Sequence, residues 1–125
     1  MRILVVDDNP DVANSLAELL RIDGNDEVRV EFNAAAAIAS MRESLPDLVL
    51  CDLQLADGMD GTAFARYCRR DPQFSGIRML AISGHSGEDD RQAALAAGFE
   101  GLLVKPVGYA MLTDAVRHGV SGQRP

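Results

Sequence analysis

The sequence predicts an α/β protein with a doubly wound, five-stranded parallel sheet and helices on both faces. Short apolar runs alternate five times with stretches of helical periodicity, which is the pattern of parallel strands joined by crossover helices. Four of the apolar runs also end in a polar group, at Asp7, Asp52, Ser83 and Lys105. Because the carboxyl ends of parallel strands lie at one edge of the sheet, we expect these groups to converge there.

The individual elements follow from local sequence patterns. The first helix begins after Asn9, a good N-cap, has Pro10 at its first position and ends at Gly24. The second strand, residues 27–32, alternates apolar and charged residues, which is typical of an edge strand with one face partly in water. The other predicted strands are residues 2–6, 47–52, 77–82 and 99–104. The later predicted helices are residues 34–44, 62–70, 88–97 and 109–118.

Composition and charge restrict the possible functions. The chain has 125 residues, 47% hydrophobic and 25% charged, so we expect one domain, residues 1–120, and a tail, residues 121–125. The net charge of −7 argues against a nucleic-acid-binding surface, which needs clustered basic residues. Apolar runs of only a few residues predict neither a membrane span nor a secretory signal. We therefore expect a cytoplasmic protein in which Cys51 and Cys68 stay reduced.

The polar strand ends have the chemistry that metal-assisted phosphoryl transfer needs. Asp7, Asp8 and Asp52 would repel one another when packed together, and Mg²⁺, which prefers oxygen ligands, resolves that repulsion. Mn²⁺ suits the same carboxylate ligands and can take its place. Asp52 can also act as a nucleophile that forms an acyl phosphate. The Ser83 hydroxyl and the Lys105 ammonium can then meet further phosphoryl oxygens, as a hydrogen-bond donor and a point charge.

Each of these residues also has an ordinary structural explanation. An acid at a strand end often caps the following helix, as Asp8 would. A serine after a strand, such as Ser83, is commonly a turn residue, and a lysine before a proline, such as Lys105, is commonly solvated. Any one of these signals is weak, but four of them at matching strand ends favour a common functional site.

Together these residues resemble a known family. The motif residues and their order are those of the receiver domain of two-component response regulators, and the similarity covers essentially the whole chain: Asp7-Asp8, Asp52, Ser83 and Lys105-Pro106. The resemblance implies a flavodoxin-like (βα)5 fold with strand order 2-1-3-4-5. It also implies that Asp52 accepts a phosphoryl group from the phosphohistidine of a histidine kinase or a histidine phosphotransfer domain.

The same resemblance assigns roles to the neighbours of Asp52. Asp7 and Asp8 match the metal-binding pair, with Asp52 and the backbone carbonyl of Gln54 as further Mg²⁺ ligands. Ser83 matches the switch hydroxyl, and Lys105 matches the site lysine, whose bond to the following proline is cis in the family. Such a protein promotes its own phosphorylation and dephosphorylation, but it is not an enzyme that turns over an external substrate.

Two departures from the family pattern affect the expected signalling. Leu102 stands where the family usually has a Tyr or Phe, three residues before the lysine, so the usual coupling of hydroxyl and ring is not expected. The loop of residues 55–61 has Ala56 in place of a proline and one extra residue before its last Asp-Gly pair. The loop should therefore differ in shape from the family pattern.

Two loop residues are candidates for setting the lifetime of the signal. Gln54 and His85 lie two residues after Asp52 and Ser83. In the family, these positions tune loss of the phosphoryl group by controlling water access. The alternative is that both are simply exposed loop side chains.

Other functions are compatible with parts of the sequence. A phosphatase of the haloacid dehalogenase type also uses an Asp nucleophile, Mg²⁺ and Lys, but it needs a second acid where this chain has Gln54. A degenerate receiver that serves only as an interaction module is the other alternative, which Leu102 leaves open. A nucleotide- or flavin-binding protein is disfavoured because no glycine-rich phosphate loop follows the first strand.

The output of the signal is left open by the sequence. Few residues of this sequence follow the fifth predicted helix, so we expect a stand-alone regulator or a receiver from a longer protein, such as a hybrid kinase. The resemblance points to the face made by the fourth helix, the fifth strand and the fifth helix as the surface that contacts an unknown output protein or domain.

Overall fold

The structure, a computed structural model, alternates strands and helices throughout, as predicted. It describes residues 1–56, 58–85 and 87–120, so the predicted tail and the loop residues Asp57 and Ser86 lie outside the described part. The strands are β1 (Arg2–Val6), β2 (Glu27–Glu31), β3 (Leu48–Asp52), β4 (Arg78–Ser83) and β5 (Leu102–Val104). The helices are α1 (Pro10–Ile22), α2 (Ala34–Glu43), α3 (Gly61–Arg70), α4 (Glu88–Ala97) and α5 (Tyr109–His118).

All five strands belong to one parallel sheet in the order β2-β1-β3-β4-β5, which confirms the predicted topology. Its register brings the polar strand ends together, since Asp7 and Asp52 follow paired residues of adjacent strands. Ser83 ends the next strand and lies beside the last residue before Lys105. Three pairs fix this arrangement: Val6 with Cys51, Asp52 with Ile82, and Ser83 with Val104.

Helices cover both faces of the sheet, as predicted, because successive strand residues point to opposite sides. On one face, alternate strand residues pack against the apolar sides of α2, α3 and α4, with Phe64 and Phe74 as the largest buried side chains. On the other face, α1 and α5 cover the intervening residues, chiefly through Leu16, Leu20 and Leu112. No helix within the described ranges is long and apolar enough to cross a membrane.

Helix caps hold the loops at the carboxyl edge of the sheet in place. Asn9 Oδ1 accepts hydrogen bonds from the backbone N–H groups of Asp11 and Val12, and Pro10 occupies the first position of α1, as predicted. Asp60 caps α3 by accepting from the backbone N–H of Ala63 at 2.9 Å. These caps fix where each helix starts relative to the strand before it.

The structure differs from the sequence prediction at three apolar residues and at β5. The helical spacing of Leu45 from Met41 and of Tyr109 from Leu112 predicts burial of both side chains, but both are exposed, and the Tyr109 hydroxyl donates to Asp23 at 3.1 Å. Phe32 lies beyond the end of β2 and is also exposed. β5 begins at Leu102 rather than at Phe99, because the Phe99 N–H bonds to a carbonyl of the last turn of α4.

Candidate functional site

Three carboxylates meet at the carboxyl edge of the sheet. One oxygen from each of Asp7, Asp8 and Asp52 lies within 4.8 Å of the others. Asp7 and Asp52 are 1% and 4% exposed, whereas Asp8 is only partly buried. Taking negative charges out of water is costly unless a positive charge accompanies them. The cluster therefore needs cations.

Lys105 supplies one of these positive charges. Its Nζ lies 3.0 Å from Asp7 Oδ2 and 3.0 Å from Asp52 Oδ2. Burial alone would lower the pKa of Lys105, but the two carboxylates outweigh burial and raise its pKa above the usual value. The lysine is thus held in its charged form between the two acids.

The electrostatic environment of the site disfavours the charged form of Asp52. Burial raises the pKa of its carboxyl group, and the Asp7 carboxylate adds to this effect. The backbone N–H of Gln54, which donates to Asp52 Oδ1 at 3.0 Å, and the Lys105 ammonium both act in the opposite direction. Burial is the largest of these effects, so one lysine does not fully compensate for placing this acid among other acids.

The acids fit a divalent cation. Two of them accept one hydrogen bond each from a backbone N–H: Asp7 Oδ1 accepts from Asn9 at 2.9 Å, and Asp8 Oδ2 accepts from Ala56 at 3.0 Å. Asp7 Oδ2 is buried and accepts no hydrogen bond from the described residues, although Lys105 is its ion-pair neighbour. Carboxylate oxygens are the ligands that Mg²⁺ and Mn²⁺ prefer. The donor set therefore suits the predicted metal.

Ser83 lies beside the carboxylates and is hydrogen-bonded on both sides. Its side chain is fully buried. Its Oγ donates to Gln54 Oε1 at 3.1 Å and accepts from the backbone N–H of His85 at 3.0 Å. Ser83 is therefore bonded directly to both residues predicted to set the lifetime of the signal, to His85 through its backbone and to Gln54 through its side chain.

Gly61 belongs to the site although the sequence prediction did not single it out. It is the first residue of α3, and its N–H donates to the carbonyl of Leu53 at 2.9 Å. A Cβ atom here would lie 2.3 Å from the carbonyl oxygen of Asp52 and 2.7 Å from Leu53 Cα. A signal was present in the sequence, since an Asp-Gly pair directly before a helix indicates a cap followed by a close approach.

Leu102 packs in the core rather than on the surface. Its side chain is 5% exposed and belongs to the apolar cluster beneath α3 and α4, whereas Leu103 packs on the opposite face. Val104, the next residue but one, is exposed. Leu102 thus lies within the predicted contact face but does not form its surface. The following Lys105-Pro106 bond is cis, as predicted.

Comparison with known proteins accounts for this combination of fold and residues. The sequence of residues 3–117 matches the family model of the response regulator receiver domain. This chain belongs to that family. It is 38% identical over 114 residues to a response regulator receiver protein of Anaeromyxobacter sp., covering 90% of this chain and 46% of that one.

Further relatives agree with this assignment. The receiver domain is 36% identical over 118 residues to the transcriptional regulatory protein PrrA of Mycobacterium tuberculosis, covering 93% of this chain and 48% of PrrA. It therefore spans about half the length of these curated relatives. The structure of the chemotaxis response regulator CheY4 of Vibrio cholerae has the same fold, with a TM-score of 0.87 at 23% identity, and the match covers 95% of this chain and 98% of CheY4.

The receiver fold brings nearly all the predicted site residues together. Asp7, Asp8, Asp52 and Lys105 form one cluster, and Ser83 lies next to it. Gln54 contacts Asp52 through its backbone N–H and Ser83 through its side chain. A role for its backbone carbonyl as a metal ligand stays a prediction, as does a role for the exposed side chain of His85.

Proposed function

We propose that this receiver domain is a phosphoacceptor switch in a two-component phosphorelay, in which Asp52 accepts a phosphoryl group in the presence of Mg²⁺. The observation that carries the proposal is the position of Lys105 Nζ, 3.0 Å from both Asp52 and the buried Asp7. A lysine in this position can form an ion pair with an oxygen of a phosphoryl group on Asp52 while the three acids bind a cation. Receiver domains pair with histidine kinases, and we expect the donor to be a phosphohistidine on a kinase or phosphotransfer domain.

The transfer needs one bond to form and one to break. A carboxylate oxygen of Asp52 attacks the phosphorus, the P–N bond of the phosphohistidine breaks, and its electron pair returns to the imidazole, which takes up a proton. Lys105 neutralises one phosphoryl oxygen, and the Ser83 hydroxyl donates a hydrogen bond to another. Mg²⁺, held by Asp7, Asp8 and Asp52 with the Gln54 carbonyl, would neutralise the charge of the transferred group. Mn²⁺ would serve the same role.

The switch would act by changing its contacts with other proteins, not by turning over an external substrate. The face formed by α4, β5 and α5 carries the exposed apolar side chains of Val104 and Met111, which suit a protein partner. PrrA, which is about twice as long as the matched region, is named a transcriptional regulatory protein. We propose that the output partner is a protein or an attached domain, that this domain itself contacts neither nucleic acid nor membrane, and that it acts in the cytoplasm.

Uptake of phosphoryl from a small donor tests the proposal. We expect wild-type protein with acetyl phosphate and Mg²⁺ to gain the mass of one phosphoryl group, measured on the intact protein. The gain should be lost in Asp52→Asn and when the cation is removed with a chelator. Asp60→Asn is the matched control, since it removes a nearby carboxylate that caps α3 and is not one of the three clustered acids. It should retain the gain.

Two results would contradict the proposal. A gain on both the wild type and Asp52→Asn would place the modification elsewhere. No gain on the wild type under any metal condition would favour the alternative of a degenerate receiver that acts only as an interaction module. The buried Leu102, in place of the usual aromatic residue, would then be one of its departures from the family pattern.

A further inference from the structure

The Ser83 hydroxyl has a single proton, and that proton is already engaged. Ser83 Oγ donates it to Gln54 Oε1 at 3.1 Å, while the backbone N–H of His85 donates to the same oxygen at 3.0 Å. The Ser83 side chain is completely buried, so bulk water offers no competing acceptor. The hydroxyl is thus held in one orientation by a neighbour on each side.

This arrangement conflicts with the role proposed for Ser83 in phosphoryl transfer. One hydroxyl proton cannot be donated fully to Gln54 Oε1 and to a phosphoryl oxygen on Asp52 at the same time. Ser83 therefore has to release Gln54 before it can serve the phosphoryl group. Breaking one neutral hydrogen bond of ordinary net strength corresponds to a population change of about two- to tenfold.

Gln54 is placed so that it can connect the acceptor acid to this hydroxyl. Its backbone N–H donates to Asp52 Oδ1 at 3.0 Å, which fixes its main chain against the phosphoacceptor. The N–H of the preceding residue, Leu53, continues the sheet by bonding to Ile82 at 2.9 Å, so the anchor is rigid. The Gln54 side chain, by contrast, is exposed and free of the core, so it can leave Ser83 without disturbing the fold.

We propose that Gln54 is a positioning residue that holds Ser83 in the unphosphorylated arrangement, so that the Ser83–Gln54 hydrogen bond opposes phosphorylation of Asp52. This inference rests on the proposed function and adds a regulatory contact to the same site. It differs from control of water access, because it acts through the Ser83 proton and before the acyl phosphate exists.

A double-mutant cycle tests this contact. Gln54→Leu removes every hydrogen-bonding atom of the side chain, and Ser83→Ala removes the hydroxyl with the loss of a single atom. The rate of phosphoryl uptake by Asp52 is measured by intact mass for the wild type, both single variants and the double variant, with acetyl phosphate and Mg²⁺. We expect Gln54→Leu to speed uptake about two- to tenfold when Ser83 is present, and to have no effect in the Ser83→Ala background.

His85→Ala is the matched control. It removes another exposed side chain from the same edge, but the backbone N–H that Ser83 accepts remains. Its effect on uptake, whatever its size, should be the same with and without the Ser83 hydroxyl. Thermal unfolding of all variants shows whether the fold is intact.

The outcomes separate this inference from the proposed function. If wild-type protein takes up no phosphoryl group, the proposed function fails and this inference fails with it. If uptake occurs but Gln54→Leu changes its rate equally in both backgrounds, Gln54 acts through donor or water access and the Ser83 contact has no regulatory role. The same conclusion follows if Gln54→Leu leaves the rate unchanged or slows it when Ser83 is present.

Discussion

Replacing Gly61 with alanine should disturb both the stability and the chemistry of the receiver domain. The backbone of Gly61 has no positive φ, so alanine fits the local helical conformation and, in open space, would stabilise the protein by about 0.4–1 kcal/mol. The space is not open, however, because the new Cβ would lie 2.3 Å from the Asp52 carbonyl oxygen. Ordinary contact begins at 3.4 Å, so α3 and the end of β3 must move apart by about 1 Å.

The neighbouring atoms are backbone, so the displacement cannot be absorbed by a flexible side chain. Overpacking of this kind typically costs about 1–3 kcal/mol. For a domain of this size, that corresponds to a fall in Tm of roughly 4–12 °C. The same shift moves the phosphoacceptor relative to Lys105, so we expect slower phosphoryl uptake in addition to the lower Tm.

Thermal unfolding followed by circular dichroism, together with the intact-mass uptake assay, checks both expectations. Gly76→Ala is the matched control, because a Cβ at Gly76 meets nothing within 4 Å and its φ is not in the left-handed region. That variant should be as stable as the wild type or slightly more so. A Gly61→Ala protein with unchanged Tm and unchanged uptake would refute the inferred contact between α3 and Asp52.

Two further predictions concern charge. Lys105→Met removes the ammonium group that lies 3.0 Å from two buried carboxylate oxygens, so the Tm of the variant should fall when Mg²⁺ is absent. Added Mg²⁺ should then raise the Tm of the variant by more than it raises the Tm of the wild type. Equal increases in Tm would contradict competition between the lysine and the metal. Asp60, the N-cap of α3, has a pKa lowered by the N–H of Ala63, so its stabilising effect is present above the usual value of 3.8 and is lost as pH falls through the lowered pKa. Below about pH 4, the unfolding free energy of the wild type should therefore drop relative to that of Asp60→Asn. Asp60→Ala should lower the unfolding free energy by about 1 kcal/mol at pH 7. A difference in unfolding free energy between wild type and Asp60→Asn that stays constant with pH would refute the assignment of Asp60 as a charged cap.

The positions of the main site residues could be predicted because backbone geometry fixes them. Asp7, Asp52, Ser83 and Lys105 each follow an apolar strand, and parallel pairing brings such residues to one edge whatever the details of packing. The helix cap at Asn9 was similarly local, since it depends on residues within one turn.

Features that depend on side-chain direction could not be predicted in the same way. Tyr109 lies at an apolar helical position, yet it turns outward and donates to Asp23, which also pairs with Arg117. That arrangement requires the end of α1 to approach α5, which is a property of the assembled fold. The distance from Gly61 to the Asp52 backbone is of the same kind, because it joins two elements across a loop.

Because Leu102 replaces the usual aromatic residue, the Ser83–Gln54 hydrogen bond is more important for the proposed switch in this receiver domain. In the family pattern, a ring at this position moves together with the switch hydroxyl, but a leucine side chain has no hydroxyl to move, and this one is packed in the core beneath α3 and α4. Under the proposed function, the hydroxyl of Ser83 reports the state of Asp52 with a leucine in place of the family's aromatic ring. What holds that hydroxyl before phosphorylation is Gln54, which is bonded to Asp52 at its other end. The resting state is therefore set within a few ångströms of the phosphoacceptor, at a residue whose side chain can be altered without touching the core.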